Sequence, residues 1–153
     1  DDPVWPQAAS LVAAPDEAPP AWVVEAVVAV LGRWRSEWVG RPTVVVPVPS
    51  TRHPERVRGL AEQVAGIGRL PVREALSIIG TPTAADVSAK ARAVAQAGRL
   101  SVAEGIGPGD LDGEVVLLVD DTWRTGWTAT ICAALLRGAG ARAVLPLVVH
   151  HQP

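Results

Sequence analysis

Two adjacent carboxylates, Asp120 and Asp121, stand just ahead of a glycine set between threonines, Thr125-Gly126-Trp127-Thr128. Side by side, carboxylates can accept hydrogen bonds from the vicinal hydroxyls of a ribose, or face the water shell of a Mg²⁺ ion. A glycine lets the backbone approach a phosphate closely. Residues that open a helix point N–H groups at an anion, and the helix dipole favours negative charge there. The threonine hydroxyls can add hydrogen bonds. An acid pair and an anion-binding helix end, about one ribose apart, describe a site for a ribose phosphate rather than a bare phosphate. Thr122 and Arg124 lie inside the same motif, and Trp123 and Trp127 flank it.

A second polar group follows an earlier apolar run. Ser50, Thr51 and Arg52 form a loop, and Arg52, His53, Arg56 and Arg58 place cations along that loop and the start of a helix. A solvated charged face is the plain explanation. A rim that contacts phosphate is the functional one, and Arg124 would add to it. Trp123 is expected at the surface, as a platform on which a base can stack, and Trp127 is read either as a core anchor of its helix or as a second aromatic surface for stacking.

The elements that must position these groups follow from hydrophobic periodicity. Val115 to Val119 is a continuous apolar run, the mark of a strand buried on both faces. A polar loop should begin at Asp120, and a helix should run from Ala129 to Arg137. A ligand in an open α/β sheet sits just there, beyond the carboxyl end of a strand. Upstream, Val23, Val27, Val30, Leu31, Trp34 and Trp38 predict one apolar face of a helix from Pro20 to Trp38. Thr43 to Val48 reads as a buried strand that must end at the prolines at 47 and 49 or lie at an edge of its sheet. A second helix is expected from Pro54 to Val64. Short strands are expected at Leu70 to Val72 and at Arg99 to Val102, and a final strand from Ala143 to Val149. Residues 77–98 are alanine-rich, suited to a helix or a mobile excursion. Strands alternating with helices, several fully apolar, predict an α/β fold with a mostly parallel twisted sheet and helices on both faces.

Composition narrows the field. Hydrophobic residues make up 48% of the 153, enough for one sizeable core, which Val and Ala must fill because there is no Phe or Tyr. The net charge of −2 gives no global nucleic-acid signature, so such contact would need a local patch. The single Cys132 excludes an internal disulfide and is expected as a buried thiol. No apolar run approaches the length of a membrane span, and no signal peptide is visible, so a cytoplasmic setting is expected. Residues 1–19 read as a proline-rich linker or arm, and residues 20–153 as the domain. The absence of Met and the start at Asp1-Asp2-Pro3 suit a domain cut from a longer protein, or a processed chain.

The stretch Asp120-Asp121-Thr122-Trp123-Arg124-Thr125-Gly126-Trp127-Thr128 resembles the signature of the type I phosphoribosyltransferases. The resemblance implies that Asp120 and Asp121 bind the ribose hydroxyls of phosphoribosyl pyrophosphate (PRPP), with Mg²⁺, and that Thr125 to Thr128 bind its 5′-phosphate. It implies a pyrophosphate loop at Ser50, Thr51 and Arg52. It also implies a flexible catalytic loop at 77–98, with Lys90 and Arg92 as its cations. A broader resemblance, carried by Val44–Ser50, Gly68-Arg69-Leu70-Pro71, Gly98 to Val102, the motif with Trp127, and Ala139 to Pro146, is to the C-terminal domain of actinobacterial RecQ-type DNA helicases. The ComF-like phosphoribosyltransferases are next. That resemblance implies an accessory domain of an ATP-dependent helicase acting in DNA repair, partnered by single-stranded DNA and by the helicase core of its own chain. Departures from the enzyme pattern point to a pocket used for contact or regulation: the 77–98 segment has no Tyr, no segment for recognising a base is evident, and two tryptophans flank the phosphate loop. The competing expectations are an active transferase that joins ribose 5-phosphate to a nitrogenous base, and a docking module that regulates the helicase.

Overall fold

The computed structural model describes residues 10, 13–80 and 98–151. In chain order these form α1 (Ala21–Trp34) with a 3-10 turn at Arg35–Glu37, β1 (Val44–Pro47), α2 (Pro54–Gly68), β2 (Leu76–Ile78), β3 (Leu100–Val102), β4 (Val115–Trp123), α3 (Trp127–Gly138) and β5 (Ala143–His151). The central sheet is parallel and ordered β1-β4-β5, with Val44 opposite Val116 and Val115 opposite Ala143. β2 and β3 form a separate antiparallel pair.

Side chains alternate across a strand, so β4 serves two cores at once. Val116 and Leu118 join Val44, Val46, Cys132 and Leu136 beneath α3. Leu117 and Val119 join Val45, Leu60, Val64, Val23 and Val27 beneath α2 and α1. Helices therefore cover both faces of a parallel sheet, as the fully apolar strands predict.

Several boundaries differ from expectation. α1 ends at Trp34, and Trp34 is 59% exposed where a buried face was expected. The helix buries only Val23, Val24 and Val27, with Val28 and Leu31 partly buried against the same core and Val30 and Trp34 exposed. The strand expected at Leu70 to Val72 is a single parallel bridge between Val45 and Val72. The strand β2 was not foreseen, and it gives β3 its partner. The described end of the arm packs on α2. Pro19 is buried, Ala18 lies against Gly59 of α2, and the Gln63 side chain donates to the Pro19 carbonyl at 3.2 Å. The segment holding Lys90 and Arg92 lies outside the described residues.

The largest correction concerns β4. A polar loop was expected from Asp120, yet the strand continues to Trp123. The cause is β5, which keeps pairing past its own apolar run: Thr122 lies opposite His150, and Trp123 opposite His151. Both acids are thus strand residues, and the ligand-facing loop is shortened to Arg124, Thr125 and Gly126.

Candidate functional site: the carboxyl ends of β1 and β4

Because Asp120 and Asp121 are consecutive in a strand, they leave it toward opposite faces. Asp120 continues the row of Val116 and Leu118, under α3. Burial pushes its carboxyl up from 3.8 to about 7, and the neighbouring Asp121 charge adds to the rise. The same burial pushes the Cys132 thiol up to about 12, with the Asp120 carboxylate as the second cause. Cys132 is a buried core thiol, as expected. One oxygen of Asp120 accepts the Asp121 backbone N–H at 2.8 Å, which fixes the turn of the pair.

Asp121 continues the other row and meets α2. Its Oδ2 lies 2.8 Å from His53 Nδ1 and 3.6 Å from Arg56 Nη1. The first is a hydrogen bond; the second is ion-pair range but too long for one. Arg56 is only 6% exposed, and a buried guanidinium needs partners for its donors. Its Nη2 finds them in the carbonyls of Ala14 and Pro15, at 2.7 and 2.9 Å.

The expected basic rim is therefore rearranged. Arg56 and His53 turn inward to Asp121. Arg58 pairs with Glu74 at 3.2 Å and Glu55 at 3.8 Å. Arg52 remains at the surface. In the expected pyrophosphate loop, Thr51 is exposed, while Ser50 Oγ accepts the backbone N–H groups of Arg52 and His53 at 3.3 and 3.0 Å. The first-turn amides of α2 are also engaged: Glu55 N–H and Arg56 N–H donate to the two carboxylate oxygens of Asp16, at 3.1 and 2.9 Å.

The loop after β4 is built differently. Gly126 is the N-cap of α3 with φ +76°, the left-handed region that favours glycine. A Cβ there would meet Trp123 Cζ2 at 2.6 Å, so the indole lies directly on the glycine. The helical ladder starts with the Thr130 N–H to the Gly126 carbonyl at 2.9 Å, and Thr130 Oγ1 donates to the same oxygen. The amides before Thr130, including that of Thr128, form the amino end of α3. Arg124 and Thr125 are exposed, and Thr122 is half-buried. Of the two readings of Trp127, its 54% exposure excludes the core anchor, and Trp123, expected at the surface, is half-buried over Gly126.

The links from Asp121 to His53 and Arg56, and the cap from Asp16, are what sequence reasoning missed. Pro54 at the first turn signals where α2 begins. Nothing local signals that a carboxylate far upstream caps it.

At the level of sequence, neither a family profile nor a characterised protein matches the chain. Solved structures do. A purine phosphoribosyltransferase from Pyrococcus horikoshii superposes over 88% of this chain and 77% of its own, at 19% identity and a TM-score of 0.54. An adenine phosphoribosyltransferase from Leishmania donovani covers 88% and 55%, at 16% and 0.55. A hypoxanthine phosphoribosyltransferase from Staphylococcus aureus covers 86% and 64%, at 13% and 0.53. The chain spans between about half and three quarters of the length of these proteins. Parallel sheet, two helical layers, and an acid pair followed by a glycine-opened helix together make this a type I phosphoribosyltransferase fold.

Proposed function

We propose that the chain is a phosphoribosyl-binding domain, which grips the ribose 5-phosphate unit of a nucleotide or of a nucleic-acid end without transferring it. The observation that carries this reading is the unbroken unit from Asp120 to Thr128. It sets two carboxylates near the carboxyl end of β4, a left-handed glycine in the loop that follows, and the amino end of α3 beyond. The 5′-phosphate would lie on the amides and hydroxyls of Thr125 to Thr128, and the ribose hydroxyls would reach the acid pair.

The earlier loop supports binding over transfer. Ser50 Oγ accepts from the amides of its own loop and Asp16 from those of the first turn of α2, so the backbone amides that a pyrophosphate would use at Arg52, His53, Glu55 and Arg56 are already engaged. Mg²⁺ fits poorly. Among the described residues no three His, Cys, Asp or Glu side chains converge, and Asp121 already pairs with His53, so no step is assigned to the ion.

Trp127, exposed at the mouth of the phosphate loop beside Arg124, favours a ligand that carries a base. Stacking on such a ring is worth about 1–3 kcal/mol per base. This is the feature that supports service as a DNA-contacting accessory domain of a RecQ-type helicase.

Calorimetry with ribose 5-phosphate, PRPP with and without Mg²⁺, and a 5′-phosphorylated single-stranded oligonucleotide tests the reading. Ribose 5-phosphate should bind and compete with the oligonucleotide. PRPP should bind no more tightly than ribose 5-phosphate. Trp127→Ala should weaken the oligonucleotide about tenfold, the loss of one stacked base, and spare ribose 5-phosphate. Release of pyrophosphate from PRPP in the presence of a base would make the protein a transferase instead, and absence of ribose 5-phosphate binding would end the reading.

A further inference from the structure

The N-terminal arm holds Arg56 at both of its ends. Asp16 Oδ1 accepts the Arg56 main-chain N–H at 2.9 Å, and the carbonyls of Ala14 and Pro15 accept from Arg56 Nη2 at 2.7 and 2.9 Å. The other terminal nitrogen, Nη1, faces Asp121 Oδ2 at 3.6 Å, where His53 Nδ1 also sits at 2.8 Å. A guanidinium is planar and rigid, so fixing one nitrogen on two carbonyls fixes where the other points. The arm is itself seated. Ala18 packs so closely on Gly59 that a Cβ at 59 would lie 2.6 Å from the Ala18 Cβ, and Pro19 forms one wall of a small cavity that Arg56, Asp121, Thr122 and His150 also line.

We propose that arm residues 14–19 are a positioning element of the acid pair: they fix Arg56, and Arg56 with His53 fixes Asp121, so that docking of the arm governs recognition of a ribose diol. The ribose part of this inference rests on the function proposed above. The positioning part rests on the hydrogen bonds alone.

An arm that merely caps α2 would stabilise the helix and leave the acid pair alone. A positioning arm couples two places that Arg56 joins. Coupling is reciprocal, so a ribose phosphate that prefers the fixed Asp121 must also hold the arm down.

The test compares the full chain with Asp16→Ala and Asp16→Asn, neither of which alters a residue of the ribose-phosphate site. Two measurements are needed. Carboxyl-carbon and imidazole-nitrogen NMR reports on Asp121 and His53 without any ligand. Titration with ribose 5-phosphate and with inorganic phosphate separates diol recognition from phosphate recognition. In Asp16→Ala the Asp121 and His53 resonances should move. Affinity for ribose 5-phosphate should fall about tenfold, within the usual range of site-to-site coupling, while that for inorganic phosphate stays unchanged. Asp16→Asn keeps one acceptor oxygen and should recover part of both effects. In the wild type, ribose 5-phosphate should slow amide exchange in residues 14–19. If the arm is released in Asp16→Ala, as amide exchange would report, and the Asp121 and His53 resonances stay in place, the arm is only a cap and the proposal is overturned. Should the wild type bind no ribose 5-phosphate, the ribose reading fails separately, and the resonances still decide whether the arm positions Asp121.

Discussion

Two strand–loop–helix units lie side by side in this fold, and they treat the amino end of their helix in opposite ways. After β1, the loop runs through Ser50 to His53 into α2, and the chain fills its own anion site: the Ser50 hydroxyl takes two loop amides and Asp16 takes two from the helix. After β4, the loop runs through Arg124 to Gly126 into α3. The N-cap there is a glycine, with no side chain to offer, and exposed Thr125 and Trp127 flank it. The acids divide along the same line. Asp121, on the α2 side, has a histidine and an arginine beside it, whereas Asp120, on the α3 side, is buried beside a like charge. One unit is closed by the chain and electrically compensated. The other has a glycine at its N-cap and a half-buried acid beside a like charge.

The largest effect that would sharpen this contrast is on Asp120. Its carboxyl is raised from 3.8 to about 7 in the folded protein, so between those values the native state holds a proton that the unfolded chain has lost. Unfolding there takes pH-dependent work of the opposite sign to that of a salt-bridged acid. The stability this proton provides is fully present below about pH 4 and is lost as pH rises through about 7. Asp120→Asn removes the charge. It should stabilise the protein at pH 8 by an amount of order 3 kcal/mol, with the gap over wild type closing toward pH 4. Urea unfolding at the two pH values measures it. The same variant should bind ribose 5-phosphate more weakly, since an acceptor is lost. Equal stability of variant and wild type at every pH would mean that the α3-side acid is no more strained than its neighbour.

Gly126→Ala comes next. A side chain at φ +76° costs about 1–2 kcal/mol in backbone terms alone, and the Cβ also displaces the Trp123 indole. A loss of about 2–3 kcal/mol in urea unfolding is expected, together with loss of phosphate binding. If the variant keeps both, the open end does not depend on the left-handed turn that distinguishes it from the α2 end.

Much of this arrangement is legible in the sequence, for a physical reason. Val115 to Val119 can be little other than a strand buried on both faces, and Thr125-Gly126 before an apolar helix is read from local chemistry. What is not legible depends on partners far along the chain. β4 runs on to Trp123 because His150 and His151 of β5 pair with its polar end, and no pattern within β4 announces that. Arg56 looks like one cation in a charged row, and its helix-face position gives no hint that Ala14 and Pro15 carbonyls await it. The core reading of Trp127 rests on its apolar character. Yet α3 buries only Cys132 and Leu136, and Trp127 at its start is exposed.

The smallest effect falls on the closed end. Gly59 lies within α2, where alanine would ordinarily favour the helix by about 0.8–1.0 kcal/mol. In this fold a Cβ at 59 would meet the Ala18 Cβ at 2.6 Å and the Ala18 Cα at 2.9 Å, and the second is backbone that cannot swing aside. Gly59→Ala should therefore push residues 14–19 away from α2. The gain in helix propensity offsets lost arm contacts, so the net change in stability should stay within about 1 kcal/mol. The arm, however, should be cut by protease far faster than in the wild type, and cleavage followed by mass spectrometry maps where. Faster cleavage at residues 14–19 with the fold otherwise intact would establish that the α2 end is closed by a separable strap. Unchanged cleavage would mean that the arm and α2 adjust as one body, and that the difference between the two helix ends is fixed in the core.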